Sequence, residues 1–157
     1  MEKMYPCLDS PAQFDYPEDG LMNLLDFVRD DELHRPTMLD ENGLECLIVI
    51  KNGTSTGLTF GRVAGIKSFT RTYQDFKIDS TSMEIAIYPY SHKDGAFAAP
   101  GDSGSVVADA NNRVVGMLIG GAGATGSTDV TYATPYYFLA DRIKSAFPES
   151  HLYPILA

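Results

Sequence analysis

Asn52-Gly53 stands between two apolar stretches, 46–50 and 56–66. An Asn-Gly pair flanked this way is the strongest short-range signal for a β-hairpin, because both residues accept the positive φ that a tight turn demands. The glycines at 57, 61 and 65 inside the second stretch fit the bulges and bends by which a small sheet turns its corners. The same grammar runs on downstream. Residues 69–76 and 83–90 alternate as strands do, and Lys93-Asp94-Gly95 turns the chain. Residues 105–108 and 114–119 form a second hairpin about a turn at 109–112, 120–126 is a glycine-rich loop, and 129–133 is a last strand. Six or seven short strands at regular spacing predict an all-β fold, a single six- to seven-stranded antiparallel barrel.

Two helices flank these strands. Leu21, Leu24, Leu25 and Val28 recur at helical spacing after Asp19 as N-cap, which predicts a helix over about 20–34, closed by Pro36. Thr134 as N-cap with Pro135 at the first helical position, then Tyr136, Leu139, Ile143 and Phe147 on one face, predicts a second helix over about 135–147. The chain thus divides into an N-terminal extension, 1–45, and a barrel with its closing helix, 46–157. Its 157 residues suffice for one domain with a real core.

A net charge of −9 argues against nucleic acid or an anionic membrane as partner. No apolar run is long enough to span a bilayer, and no signal peptide is visible, which favours the cytoplasm. Cys7 and Cys46 are the only cysteines, and one disulfide or two free thiols are both open. No metal or cofactor is called for.

The candidate chemistry lies in Gly101-Asp102-Ser103-Gly104. Gly104 clears space beside the serine hydroxyl, and Gly101 permits a sharp bend that aims the amides of Gly101 and Ser103 at one point, as an oxyanion hole requires. The alternative is a glycine-rich turn with an incidental serine.

In three ordered features the chain resembles the C-terminal half of trypsin-like serine peptidases of the chymotrypsin fold, with a texture most like fungal members. These are the Gly-Asp-Ser-Gly motif, the opening hairpin Lys51-Asn-Gly-Thr-Ser-Thr-Gly-Leu-Thr-Phe-Gly-Arg-Val63, and Val114-Val-Gly-Met-Leu-Ile-Gly-Gly121 followed by Thr131-Tyr-Ala-Thr-Pro135 and a helix. The resemblance implies Ser103 as nucleophile, with Gly101 and Ser103 giving the oxyanion-hole amides. It implies a specificity pocket with Phe97 and Ala98 at its floor, Ile119, Gly120 and Gly121 on one wall, and Thr131, Tyr132 and Ala133 on the other. No acid stands where the trypsin branch keeps one, so the implied pocket is apolar and favours a neutral side chain.

The same resemblance exposes a gap. In that family a first barrel supplies the histidine base and its aspartate. Only 45 residues precede Cys46, fewer than the ~60 that six strands and their turns require. His34, His92 and His151 are the only histidines, and none matches the family's catalytic position. His34 is the best of them if the early helix crosses the open face. Glu84 resembles the family's acid only superficially. Three readings remain: a serine endopeptidase-like module whose base comes from elsewhere, a non-catalytic peptide- or protein-binding module of the same descent, and a fragment of a longer protease. The 20–34 helix is the candidate cover for the open face, and a second copy or a separate chain is the alternative.

Overall fold

A computed structural model describes residues 2–4, 17–73, 79–123 and 129–152. Among the described residues a single 3-10 turn at Glu2–Met4 is followed by eight strands and two α-helices: β1 Asp26–Phe27, α1 Asp30–His34, β2 Met38–Leu39, β3 Glu45–Gly53, β4 Gly57–Tyr73, β5 Asp79–Pro89, β6 Val106–Asp109, β7 Arg113–Ala122, β8 Val130–Pro135 and α2 Tyr136–Ala146. Six strands close a ring. β3 pairs with β4, β4 with β5, β5 with β8, β8 with β7, β7 with β6, and β6 returns to β3, all antiparallel. Closure leaves no free edge within the ring.

The unbroken apolar run at 46–50 is explained by β3 having a core on each side. Side chains alternate along a strand. Leu47 and Val49 point into the barrel with Val63, Ile85, Ile87, Phe97, Val107, Val115, Leu118 and Ala133. Cys46, Ile48 and Ile50 pack outward with Met4, Tyr90, Ala108 and Ala110. Lys51 shares the inward parity of Leu47 and Val49, and it is buried.

The hairpin after β3 departs from the sequence expectation. Asn52 and Gly53 are the last paired residues of the strand, opposite Leu58 and Gly57, so 54–56 make the turn. Ser55 and Thr56 donate their amides to a carboxylate from elsewhere in the chain, and that fixes a longer loop than the two-residue turn. The stretches 56–66 and 69–76 join into the single long β4, bent by a bulge between Val63 and Lys67; the far end of the second stretch lies outside the described residues. β7 also runs on into the expected loop, as far as Ala122.

The helix expected over 20–34 shrinks to Asp30–His34. Leu21 and Leu25 are exposed rather than packed. The amides of Leu25 and Val28 go to the carbonyls of Asn112 and Val114, and β1 lies parallel to the start of β7. A strand edge unpaired at that point takes the hydrogen bonds a helix would have made internally, and Val28 still buries its side chain. Asp19 accepts the amide of Leu21 in a turn instead of capping a helix. Arg113 ties this segment down through Glu32 and the buried Asp109. At the other end α2 begins at Tyr136. Pro135 completes β8 and occupies the N-cap position without a side-chain cap bond, so Thr134 is not the cap. Cys46 is buried, while Cys7 lies outside the described residues.

Candidate functional site

The segment 99–105 makes two successive turns, Asp102 N–H to the Ala99 carbonyl at 3.0 Å and Ser105 N–H to the Asp102 carbonyl at 3.0 Å. It then joins β7 through Gly104 N–H to Leu118 O at 2.7 Å and Leu118 N–H to Ser105 O at 3.0 Å. The Asp102 side chain, fully buried, organises these turns. Its Oδ1 accepts the amides of Ser55 at 2.7 Å and Thr56 at 3.3 Å. Its Oδ2 accepts the Thr56 hydroxyl at 2.6 Å, the Ala99 amide at 3.1 Å and the Lys51 ammonium at 3.2 Å. Lys51 also donates to the Thr56 hydroxyl and the Gly57 carbonyl and lies 5.7 Å from the Phe97 ring centre. Burial alone would raise the pKa of Asp102. The Thr56 hydroxyl, the amides of Ala99 and Ser55 and the Lys51 ammonium outweigh it and hold the carboxyl well below its ordinary range.

Two glycines make room for this packing. A Cβ on Gly53 would sit 2.4 Å from Asp102 Oδ1. Gly101 has φ +104°, and a Cβ there would sit 2.3 Å from Ser55 Oγ, which itself donates to the Pro100 carbonyl at 2.7 Å. The bend at Gly101 therefore needs glycine for both conformation and space.

Ser103 is exposed at the tip of the loop. Its hydroxyl has one long contact, 3.5 Å to the Ile119 carbonyl. Among the described residues the amides of Gly101 and Ser103 have no acceptor. Beside the serine lies a hollow of about 240 Å³, floored and walled by Ala98, Ala99, Pro100, Leu118, Gly120, Gly121, Gly123 and Thr131. Of the residues expected to line a pocket, Ala98, Gly120, Gly121 and Thr131 do so. Phe97 does not: its ring is buried in the barrel core, where Gly61 leaves it space. Ala133 is likewise a core residue, and Ile119 is exposed, its place on the wall taken by Leu118. Tyr132 faces away, since strand alternation gives Thr131 the hollow. The bulge between Leu118 and Gly120 in the β7–β8 pairing explains the shift at Ile119.

The expectation of a wholly apolar pocket fails at one residue. Asp129, just before β8, lines the hollow, and its Oδ2 is buried without a hydrogen-bond partner. Burial raises its pKa. Nothing in the local sequence marks it, because its position follows from the pairing of Gly121 with Thr131.

No histidine is a partner of the Ser103 hydroxyl among the described residues, and none lines its hollow. The Nδ1 of His34 lies 3.0 Å from the Gly65 carbonyl, against β4. His92 lines a neighbouring polar hollow that Asp129 also borders. His151 follows α2, in a groove with Phe27 and Tyr136. Glu84 is buried in β5 with Oε2 unpartnered.

No protein-family model matches this sequence, and no curated protein matches it. Solved structures do. A glutamic acid specific serine protease, described as using a novel histidine triad in substrate binding, aligns over 88% of this chain and 60% of its own, at 17% identity and a TM-score of 0.52. The fold is the chymotrypsin-like barrel. A chymotrypsin from Cellulomonas bogoriensis aligns over 65% of this chain and 47% of its own, at 25% identity and a TM-score of 0.46. An HtrA-type protease with a tripeptide aligns over 80% and 36%, at 16% identity and a TM-score of 0.41. The chain spans about half the length of the solved structures it matches.

Proposed function

We propose that this chain is the nucleophile-bearing part of a serine endopeptidase-like site, built to hold a peptide carbonyl at Ser103. The observation that carries the reading is the Ser103 loop, bent at Gly101 and anchored by buried Asp102, with two unengaged amides beside a side-chain-sized hollow. In this reading the Ser103 hydroxyl oxygen adds to the carbonyl carbon of the scissile bond. The carbonyl oxygen takes up the negative charge and accepts the N–H groups of Gly101 and Ser103. The Ser103 proton passes to a base, which then protonates the leaving amine.

That base is not among the described neighbours of Ser103. The 17–45 segment contributes two two-residue strands and one five-residue helix rather than a second barrel. An oxyanion hole and binding site without the base retain only about 10³–10⁴-fold acceleration over water. The chain therefore acts by itself mainly as a peptide binder and hydrolyses efficiently only when a partner polypeptide brings a histidine to Ser103. The second reading, a purely binding module, draws on the same lack of a histidine.

Labelling with a fluorophosphonate probe decides between them. The first reading expects labelling of Ser103, slow for the chain alone and faster with the partner, and lost in Ser103→Ala. Absence of labelling under both conditions, with peptide binding retained in Ser103→Ala, establishes the binding module instead.

A further inference from the structure

We propose that Ser55 is a positioning residue for the oxyanion site: its hydroxyl latches the Pro100–Gly101 peptide in the orientation that presents the Gly101 amide to a substrate oxygen. This rests on the reading that Ser103 and that amide serve a peptide carbonyl, and it names what holds the amide in place. Residues 99–102 form a turn closed by Asp102 N–H to the Ala99 carbonyl at 3.0 Å. The ring of Pro100 sets its φ, and Gly101 has φ +104°. Proline followed by a positive-φ glycine at the two central positions is the type II pattern. A type I turn closes the same hydrogen bond and also accepts proline first; it differs by about a half-turn of the central peptide, here Pro100–Gly101. That unit is planar and trans, so its carbonyl and its N–H point to opposite sides. The turn type therefore decides whether a donor or an acceptor faces the substrate oxygen. An amide there stabilises developing negative charge, and a carbonyl there repels it.

The ends of this turn are fixed in either case. Asp102 Oδ2 accepts the Ala99 amide at 3.1 Å, and the buried Lys51 holds the carboxylate. Neither contact touches the central peptide. Among the described residues the group bonded to that peptide is the Ser55 hydroxyl, which donates to the Pro100 carbonyl at 2.7 Å. The Gly101 N–H on the other side is left without an acceptor. Ser55 is itself held, because its own N–H donates to Asp102 Oδ1 at 2.7 Å. The hydroxyl and the turn it holds thus share one buried anchor. The fit over the turn is close: a Cβ on Gly101 would sit 2.3 Å from Ser55 Oγ. Donation to the Pro100 carbonyl also polarises the peptide and strengthens its N–H as a donor. Ser55 does not line the hollow beside Ser103, so it acts through Gly101 and not on the substrate. Alanine in its place keeps the anchoring amide and removes the latch alone.

The test compares wild type, Ser55→Ala and Ser55→Thr by nuclear magnetic resonance and by fluorophosphonate labelling of the chain alone. In a type II turn the Pro100 Hα lies against the Gly101 amide hydrogen; in type I the rotated peptide carries that hydrogen away. Wild type is expected to show a strong cross-peak between the two. Ser55→Ala is expected to weaken it and to shift the Pro100 carbonyl and Gly101 amide resonances. It is also expected to lower the maximal labelling rate by up to about tenfold, the contribution of one neutral hydrogen bond, with the half-saturating probe concentration unchanged. Ser55→Thr keeps the hydroxyl and is expected to restore both. A merely structural role would instead lower the urea midpoint and leave the maximal rate of the folded protein alone. A weak cross-peak in wild type overturns the proposal, as does a cross-peak that ignores Ser55→Ala or a Ser55→Thr that behaves like it. The wild-type cross-peak tests the turn even if a variant fails to fold. It requires no acylation, so the two readings fail separately. Unlabelled wild-type Ser103 beside a turn that responds to Ser55→Ala removes only the catalytic reading; labelling at one rate in all three proteins removes only this inference.

Discussion

Replacing Lys51 by methionine roughly keeps the volume of a side chain buried in the barrel and removes its charge together with its hydrogen bonds to Asp102, the Thr56 hydroxyl and the Gly57 carbonyl. Asp102 then remains fully buried with its cation gone. Breaking a buried pair by deleting one partner costs about 3–5 kcal/mol. Four donors to Asp102 survive here, the amides of Ser55, Thr56 and Ala99 and the Thr56 hydroxyl, so the lower end, about 3 kcal/mol, is expected. For a domain of this size that is roughly 6–12 °C in Tm. The pH dependence gives a sharper check. In the wild type the Asp102 pKa is depressed on folding. Its contribution is therefore complete above the unfolded value, about 3.9, and is lost as pH falls through the lower folded value. In the variant the folded pKa rises, so near pH 4 a proton relieves the unpaired charge and the gap between the proteins narrows. Urea unfolding followed by tyrosine fluorescence, at pH 7 and near pH 4, measures both quantities; the chain has nine tyrosines and no tryptophan. Adding Asp102→Asn should make the double variant less unstable than the sum of the singles. A Lys51→Met cost below about 0.5 kcal/mol at pH 7, or one unchanged in acid, refutes the view that this pair anchors the Ser103 loop.

Two further outcomes follow from the same geometry. Gly101→Ala forces a side chain into φ +104° and onto Ser55 Oγ; a loss of about 1–3 kcal/mol in denaturant titration is expected, with displaced Ser103 and Gly104 amide resonances, and an unchanged midpoint and spectrum would contradict the packing described. Burial pushes the Cys46 thiol up to about 11, Asp40 adding to the shift, so alkylation by iodoacetamide at pH 8, read by peptide mass, should be roughly a hundredfold slower in the native than in the urea-unfolded chain, and similar rates would show that Cys46 is accessible.

Much of the barrel could be read from the residues because local chemistry and global topology agree there. The apolar run at 46–50, the alternation at 83–90 and the turn at 109–112, where Asn112 takes φ +59°, each state their own structure. Misreadings arose where a distant group decided the outcome. Leu21, Leu24, Leu25 and Val28 carry a helical spacing, but a free stretch of β7 backbone claimed their segment. The 54–56 turn is shaped by Asp102, 46 and 47 residues along the chain from the amides it accepts. Asp129 gained its place beside Ser103 from strand register, which composition does not encode. Lys51 was legible in principle, since a lone cation at an inward position of an apolar strand must meet an anion. The Gly-Asp-Ser-Gly motif drew attention to the serine, yet the structural consequence of its aspartate lies in the opposite hairpin.

The closed ring bears on how the protein is made. β8 is the strand that joins β5 to β7, and it is the last of the described strands in chain order. While the ribosome is still translating the segment before it, the nascent chain has at most an open sheet, with β5 and β7 presenting unpaired edges and the inner faces of Ile85 and Leu118 uncovered. Such edges template pairing with neighbouring chains, and contacts so distant in sequence form slowly. Six residues added late, Val130–Pro135, turn a sheet prone to association into a barrel without ring edges.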